Sequence, residues 1–276
     1  MLRQLELEWR LCSQRITFQV LTFLFFMLSI GAFLFVCYRN YGTDLLYVRS
    51  AYEMSILQGT STRIVLTMEL MLLPLMTPLI YSDSFTRDIH SGIFKGILTR
   101  VEIRTYLVAK AIIIFLVSFL IIFIPLLINQ LLCLLAFPKL GFDNRYNLPP
   151  YDIGFQNYDS EAILDVLRLE SPLLYNVTFM LLISLMGAAF SLFSYGIFLL
   201  FNKSRFVVFS GMFLFITIFN LGLSAIVSYR WSFTNLLVPG NPGSLEVLFF
   251  WFLVLILGFI TALLYTIKKR EVGLEK

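Results

Sequence analysis

The residues with the clearest chemical potential lie in one segment between two long apolar runs, positions 81–100, which reads YSDSFTRDIHSGIFKGILTR. It holds the only histidine of the chain, His90, among acidic and basic residues. A serine–histidine pair or a histidine-bound metal needs that side chain beside the reacting groups. The serine in the most suggestive apolar context, Ser224, lies in a different apolar run. We therefore expect no enzyme activity, no catalytic residue and no metal site.

The spacing within this segment indicates a surface that another molecule contacts. Apolar residues recur every four positions and polar residues recur on a second face, which predicts one amphipathic helix or two short ones. Gly92 and Gly96 each lower helix stability by roughly 1 kcal/mol relative to alanine, but they allow another surface to approach closely. The apolar positions are Phe85, Ile89, Ile93 and Ile97, and the polar positions are Arg87, Asp88, Ser91 and Lys95. The alternative is an interfacial helix that merely joins two spans.

The rest of the sequence is typical of a polytopic membrane protein. The 276 residues are 59% hydrophobic and 14% charged, whereas soluble domains carry roughly 25% charged residues. Six apolar stretches are long enough to cross a bilayer as helices, which takes ~20 residues. We predict an all-α fold with a single transmembrane domain over 1–276. The predicted spans are 16–38, 64–82, 111–138, 171–202, 206–229 and 247–267.

The distribution of basic residues predicts the orientation. With the N-terminus inside, the inner segments hold 14 of the 21 Lys and Arg residues and the outer segments hold 7. Because cytoplasmic segments carry an excess of Lys and Arg, we expect both termini in the cytoplasm of a cell (plasma or inner) membrane. Segment 83–110 is then cytoplasmic. Segment 139–170 is an outer loop, with six acidic and three basic residues.

The first 15 residues predict a helix that lies in the membrane plane, in contact with lipid. Leu2, Leu5, Trp9, Cys12 and Ile16 fall on one helical face, and Arg3, Glu6, Arg10 and Gln14 fall elsewhere. This pattern, with a tryptophan at headgroup depth, is typical of an interfacial helix. A soluble N-terminal tail is the alternative.

The second predicted span contains the only charged residue inside any of the six, Glu69. An acidic residue at this depth is costly, so it either meets part of a substrate or reaches the outer interface, where it could pair with Arg63. Pro74 and Pro78 follow in the same span. Since proline removes a backbone hydrogen bond and bends a helix, the two form either a moving hinge or a static kink.

The segment from Ser82 to Lys110 resembles the cytoplasmic signature of the ABC-2 family, the membrane permeases of ATP-binding-cassette exporters. That signature has an acid four residues before a glycine, an apolar stretch, a turn, a basic residue and a lysine that opens the third span. Asp88 and Gly92 match its beginning, and Arg104 and Lys110 match its end. Asp88 stands where glutamate is usual, and the usual proline of the turn is absent.

The resemblance implies that the segment between spans two and three is a coupling helix for two cytoplasmic ATPase subunits. ATP and Mg are expected on those subunits and no cofactor on this chain, which lacks a phosphate-binding loop. The implied coupling residues are Arg87, Asp88, Gly92, Lys95, Gly96, Arg100 and Arg104.

The resemblance also implies a transport path between two permease copies, identical or homologous, lined by spans two and five. The candidate path residues are Glu69, Pro74, Pro78 and Asn220. The expected cargo is amphipathic or hydrophobic, such as a peptide, a drug or a lipid-linked molecule, and no nucleic acid partner is expected. A membrane scaffold or sensor that docks a cytoplasmic partner without transporting anything is the alternative function.

Overall fold

The computed structural model describes residues 1–44, 48–99, 101–139, 158–201 and 204–274. Within these ranges the regular structure is helical, apart from one isolated bridge near the chain's outer loops. The helices are α1 (Leu2–Ser13), α2 (Ile16–Arg39), α3 (Arg63–Leu79), α4 (Ser84–His90), α5 (Ile93–Leu98), α6 (Ile103–Ala136), α7 (Asp165–Glu170), α8 (Pro172–Leu200), α9 (Arg205–Ile226), α10 (Phe233–Leu236) and α11 (Leu245–Leu274), with a 3-10 turn at Tyr229–Trp231. The predicted all-α fold is confirmed.

Six helices in the described ranges are long and apolar enough to cross a membrane. They are α2, α3 continued through a turn to His90, α6, α8, α9 and α11. Their number and order agree with the prediction from the sequence. Their length and apolar composition are those of helices that span a bilayer.

The third span starts earlier than predicted. The sequence places its start at 111, whereas α6 begins at Ile103. Tyr106, Leu107 and Lys110 are buried, so the first two turns of α6 pack inside the protein. Lys110 was expected to end the cytoplasmic segment because a lysine normally marks the edge of a span. It instead continues the helix with its charge neutralised by neighbours.

Helix α8 forms the centre of the bundle and is the most buried of the six. Glycines let its neighbours approach closely: a Cβ added at Gly187 would lie 2.3 Å from Cδ1 of Ile122 on α6. A Cβ at Gly196 would lie 3.2 Å from the Cβ of Ala262 on α11. Small residues at such contacts are how membrane helices gain packing energy without a hydrophobic driving force.

The segment between α2 and α3 folds back against the last turns of α6 and the start of α8. Its backbone is held by a cluster of buried amide side chains. The N–H of Ile56 donates to Oδ1 of Asn129 at 2.9 Å. Nδ2 of Asn176 donates to the carbonyl of Tyr52 at 3.0 Å and to Oε1 of Gln130 at 2.7 Å. These bonds supply partners for backbone groups that are buried outside a helix.

Candidate functional site

Three charged side chains from distant parts of the sequence meet inside the protein at the end of the bundle that carries α1, α4 and α5. Nζ of Lys110 lies 2.8 Å from Oε2 of Glu8 and 2.9 Å from Oδ2 of Asp88. The Lys110 side chain is 1% exposed, that of Glu8 0% and that of Asp88 14%. We call Glu8, Asp88 and Lys110 the inner charge cluster.

Two tyrosines complete the hydrogen bonding of the two carboxylates. The hydroxyl of Tyr81 donates to Oε2 of Glu8 at 2.7 Å, and that of Tyr106 donates to Oδ2 of Asp88 at 2.5 Å. Nζ of Lys110 also lies over the ring of Tyr106, 5.0 Å from its centroid. A buried ion pair is stable only when further donors satisfy its oxygens, and here each carboxylate has both a cation and a hydroxyl.

A second ion pair closes the side of the cluster nearest the start of α2. Nη1 of Arg15 lies 2.6 Å from Oδ1 of Asp83, and both side chains are about nine-tenths buried. The guanidinium carbon of Arg15 also stacks over the ring of Tyr81, 4.1 Å from its centroid. Tyr81 therefore contacts a cation through its ring and a carboxylate through its hydroxyl.

Local sequence explains why the cluster residues face inward. Glu8 lies between Leu5 and Cys12 at helical spacing, so it falls on the apolar face by which α1 packs on α6. Lys110 lies one turn after Tyr106 on the buried face of α6. Each charge thus sits in an otherwise apolar stripe, and only the tertiary contacts neutralise it.

Cys12 lies one turn after Glu8 and is buried. Burial raises the pKa of this thiol to about 12, an effect that outweighs the opposing influence of the nearby Arg15 charge. The thiol therefore stays protonated at neutral pH and acts as a small apolar group.

Helices α4 and α5 are anchored above the cluster by aromatic contacts. The ring of Phe94 on α5 packs edge-on against Phe85 on α4, with centroids 5.6 Å apart, and lies 5.7 Å from the ring of Tyr106. The predicted coupling segment is thus two short helices rather than one. The break is at Gly92, whose φ of +74° is left-handed and favours glycine.

The opposite side of α4 and α5 is open. Arg87, His90, Gly92, Ile93 and Gly96 are exposed, Ile93 by 58%. A Cβ placed at either glycine would meet no atom within 4 Å. We call these five residues the α4–α5 surface. It combines one exposed apolar side chain, two glycines, an arginine and a histidine.

The predicted coupling residues separate into two groups. Asp88 is drawn into the inner charge cluster, whereas Arg87, Gly92 and Gly96 lie on the α4–α5 surface. Arg104 is exposed in the first turn of α6. Arg100 and the side chain of Lys95 lie outside the described residues.

Sequence reasoning missed Glu8, Tyr81 and Tyr106. A signal for Glu8 was available, because a lone acid in the apolar stripe of α1 requires a cation, and Lys110 is a lone base at the edge of a long apolar run. Nothing in the sequence pairs the two, which lie 102 positions apart.

The apolar stripe predicted for α1 is divided in the structure. Cys12 is buried inside the protein, whereas Leu2 and Trp9 are exposed, Trp9 by 43%. The helix therefore packs on α6 by the face that carries Glu8 and Cys12. Two other sides of α1 expose apolar residues, one with Leu2 and Trp9 and one with Leu7 and Leu11.

The four candidate path residues are all buried within the chain. They are Glu69, Pro74, Pro78 and Asn220. The Asn220 amide holds the start of α10, since its Oδ1 accepts the N–H of Phe233 at 2.9 Å. The two prolines lie in α3, which ends at Leu79, directly after Pro78. Whether these residues border a path stays a prediction.

The inner charge cluster links three helices through buried contacts. Asp88 ties α4 to α6, and Glu8 ties α1 to the same lysine. Removing one partner of a buried ion pair typically costs about 3–5 kcal/mol, so the loss of either link is expected to destabilise the protein strongly.

No protein-family model, no curated protein and no solved structure matches the chain.

Proposed function

We propose that this chain is the permease subunit of an ATP-binding-cassette exporter. It moves an amphipathic or hydrophobic cargo across the cell membrane, and ATP is hydrolysed on separate cytoplasmic subunits. Two such ATPases and a second permease copy or a homologous permease complete the transporter. The observation that carries the proposal is the α4–α5 surface, which is exposed on one side and tied by Asp88 to Lys110 on the other.

The proposal explains why a buried ion pair lies beneath two short helices. A linker between spans needs only enough polar residues to turn the chain, and it needs no buried acid. A segment that transmits movement has to be attached to the helix that it moves. Asp88 and the Phe94–Tyr106 contact fix α4 and α5 to the long helix α6, while the exposed glycines leave room for a partner backbone.

In the proposed cycle, the ATPases press on the α4–α5 surface when they close around ATP and Mg. The displacement passes through Asp88 and Lys110 to α6, and through Lys110 and Glu8 to α1. Tyr81 links the same cluster to the turn after α3, whose prolines weaken its backbone hydrogen bonding. Spans two and five, which line the path by resemblance, thereby change their separation.

The test is purification of the tagged chain from its native membrane in mild detergent, with mass spectrometry of the proteins that remain bound. A stoichiometric ATP-binding subunit is expected. Gly96→Trp should abolish its binding, because the new ring fills space that is open in the free chain and does not strain a left-handed backbone. Thr43→Trp is the matched control, since Thr43 is exposed on the predicted outer side.

An ATPase that binds the wild type and the Thr43 variant but not the Gly96 variant supports the exporter. A non-ATPase partner lost in the same variant favours the scaffold or sensor function. If no partner depends on Gly96 in any lipid or nucleotide condition, the α4–α5 surface is a linker and the exporter proposal is wrong.

A further inference from the structure

Glu69 is a buried carboxylate without a hydrogen-bond partner for one of its oxygens. It lies on α3 and is 4% exposed. Among the described residues, Oε2 of this side chain is fully enclosed and accepts no hydrogen bond. Such an atom is rare in a folded protein, because an enclosed oxygen without a donor costs about 1–3 kcal/mol and more when it is charged.

The neighbouring residues offer Glu69 no compensation. The other buried positions of the same helix stretch are apolar, Leu66, Leu70 and Leu73. Arg63, the nearest cation along the chain, donates instead to Asn241. No ion pair between Arg63 and Glu69 is therefore found among the described residues, and Glu69 lacks a described cation.

The position of Glu69 favours a positively charged partner from outside the chain. It lies six residues into α3, about 9 Å at ~1.5 Å per residue, from the end predicted to be outermost. The spans predicted from the sequence contain no Lys or Arg that would repel a cation there. The predicted outer loop at 139–170 has twice as many acidic as basic residues, so its charge attracts cations to the same side.

We propose that Glu69 selects the cargo of this transporter by charge, and that the cargo is an amphipathic cation. The inference rests on the proposed transport function and names its substrate class. The carboxylate is closed off in the present conformation, and the cation binds it by favouring conformations in which α3 is separated from its neighbours. A charged hydrogen-bond donor is what an enclosed carboxylate oxygen requires, whereas a neutral apolar cargo leaves it unpaired.

The experiment measures binding of two probes of similar shape to the purified chain in lipid nanodiscs. Octylammonium carries a positive charge and N–H donors, whereas octyl methyl ether, of similar length, is neutral and has no donor. We expect the wild type to bind the cation more tightly and Glu69→Gln to bind it about 30-fold more weakly or worse, the loss typical when one partner of a desolvated charge pair is removed. Binding of the neutral probe should be unchanged.

Met71→Leu is the matched control, because Met71 is exposed on the same helix. Leucine has nearly the same volume as methionine. Glu69→Gln should keep or raise the melting temperature, since it removes a charge that no described residue compensates. A structural role for Glu69 would lower it. Equal binding of the two probes to the wild type, no binding of the cation, or an undiminished preference in Glu69→Gln overturns the inference.

These results are separate from the test of the exporter. If cation binding depends on Glu69 but the chain retains no ATPase, the cation site is supported and ATP-driven transport is not. If ATPase binding depends on Gly96 but probe binding does not depend on the charge of Glu69, the transporter is supported and the cationic cargo is not.

Discussion

Lys110 stabilises two carboxylates that would otherwise be buried without a cation. Glu8 and Asp88 share it, and the hydroxyls of Tyr81 and Tyr106 supply the remaining donors. The contribution of each charge to the free energy of unfolding therefore depends on the other two. Replacing the whole set by neutral groups is far less harmful than removing one member, as for other buried ion pairs.

Lys110→Met should lower the free energy of unfolding by about 3–5 kcal/mol, because it leaves two carboxylates with no buried cation. The combined variant Glu8→Gln, Asp88→Asn and Lys110→Met should recover a large part of that loss. Denaturant unfolding in detergent, followed by tryptophan fluorescence, measures both.

The matched control is Lys268→Met, which removes an exposed lysine near the end of α11 and should change stability by less than about 0.5 kcal/mol. If the triple variant is less stable than Lys110→Met, the charges do not act as one unit.

At the scale of helices, the apolar pattern of the segment between spans two and three predicts that the segment is helical, but it does not predict where the helix breaks. The four-residue recurrence of apolar positions predicts a helical surface, and Phe85, Ile89 and Ile97 do face inward. The stripe breaks at Ile93, which is exposed, because the left-handed Gly92 turns α5 away from the axis of α4. Two glycines four apart looked equivalent in the sequence, but only Gly92 has a backbone that needs glycine.

Gly92→Ala and Gly96→Ala should therefore have opposite effects on stability. Alanine at Gly92 is forced into the left-handed region, which costs about 1–2 kcal/mol. Alanine at Gly96 lies within a helix with open space around it and should stabilise α5 by about 0.5–1 kcal/mol. Hydrogen exchange of the α4–α5 amides measures the two changes locally.

Equal stabilisation by the two substitutions would contradict the left-handed backbone at Gly92, and equal destabilisation would contradict the open helical position of Gly96. The global melting temperature should change less than the local exchange rates, because α4 and α5 are small elements that can open without unfolding of the spans.

The spans were predictable because hydrophobic length alone determines them, and five of the six starts agree closely with the sequence. The exception is α6, whose extra turns depend on the partners of Lys110. The candidate site is hard to predict for the same reason. Asp88 and Lys110 belong to a local sequence signature, but only the tertiary structure shows that Glu8 is their partner. Likewise, no local pattern distinguishes a glutamate that meets an arginine one turn away from one that, like Glu69, is enclosed without a cation.

At the scale of the whole molecule, the two ends of the bundle are built differently. One end is held by the ionic contacts of the inner charge cluster and the Arg15–Asp83 pair. The other end combines buried neutral amides, including Asn129 and Asn176, with ion pairs at or near the surface. These pairs are Arg49–Glu53, Arg168–Asp165 and Arg230–Glu161. The excess of Lys and Arg predicts that the end with the inner charge cluster is cytoplasmic.

Cysteine labelling can test that orientation. In a variant without native cysteines (Cys12→Ala, Cys37→Ser, Cys133→Ala), Tyr158→Cys should react with a membrane-impermeant maleimide in intact cells. Thr99→Cys should react only after the membrane is made permeable. Both positions are exposed, so a difference in rate reports the side of the membrane.

The reverse pattern would place both termini outside and would remove the α4–α5 surface from the reach of any cytoplasmic ATPase. Labelling in detergent, where both sites are accessible, is the control for intrinsic reactivity.

The amide cluster at the outer end also determines when that end can form during synthesis. The backbone of Tyr52 is bonded by Asn176, 124 positions later in the chain. At about 5–20 residues per second, the ribosome needs roughly 6–25 s to make that stretch. During this time the segment after the first span has left the ribosome but lacks its hydrogen-bond donor. A chain interrupted before the fourth span therefore leaves this early segment without its partners, so the outer end closes late although it is encoded early.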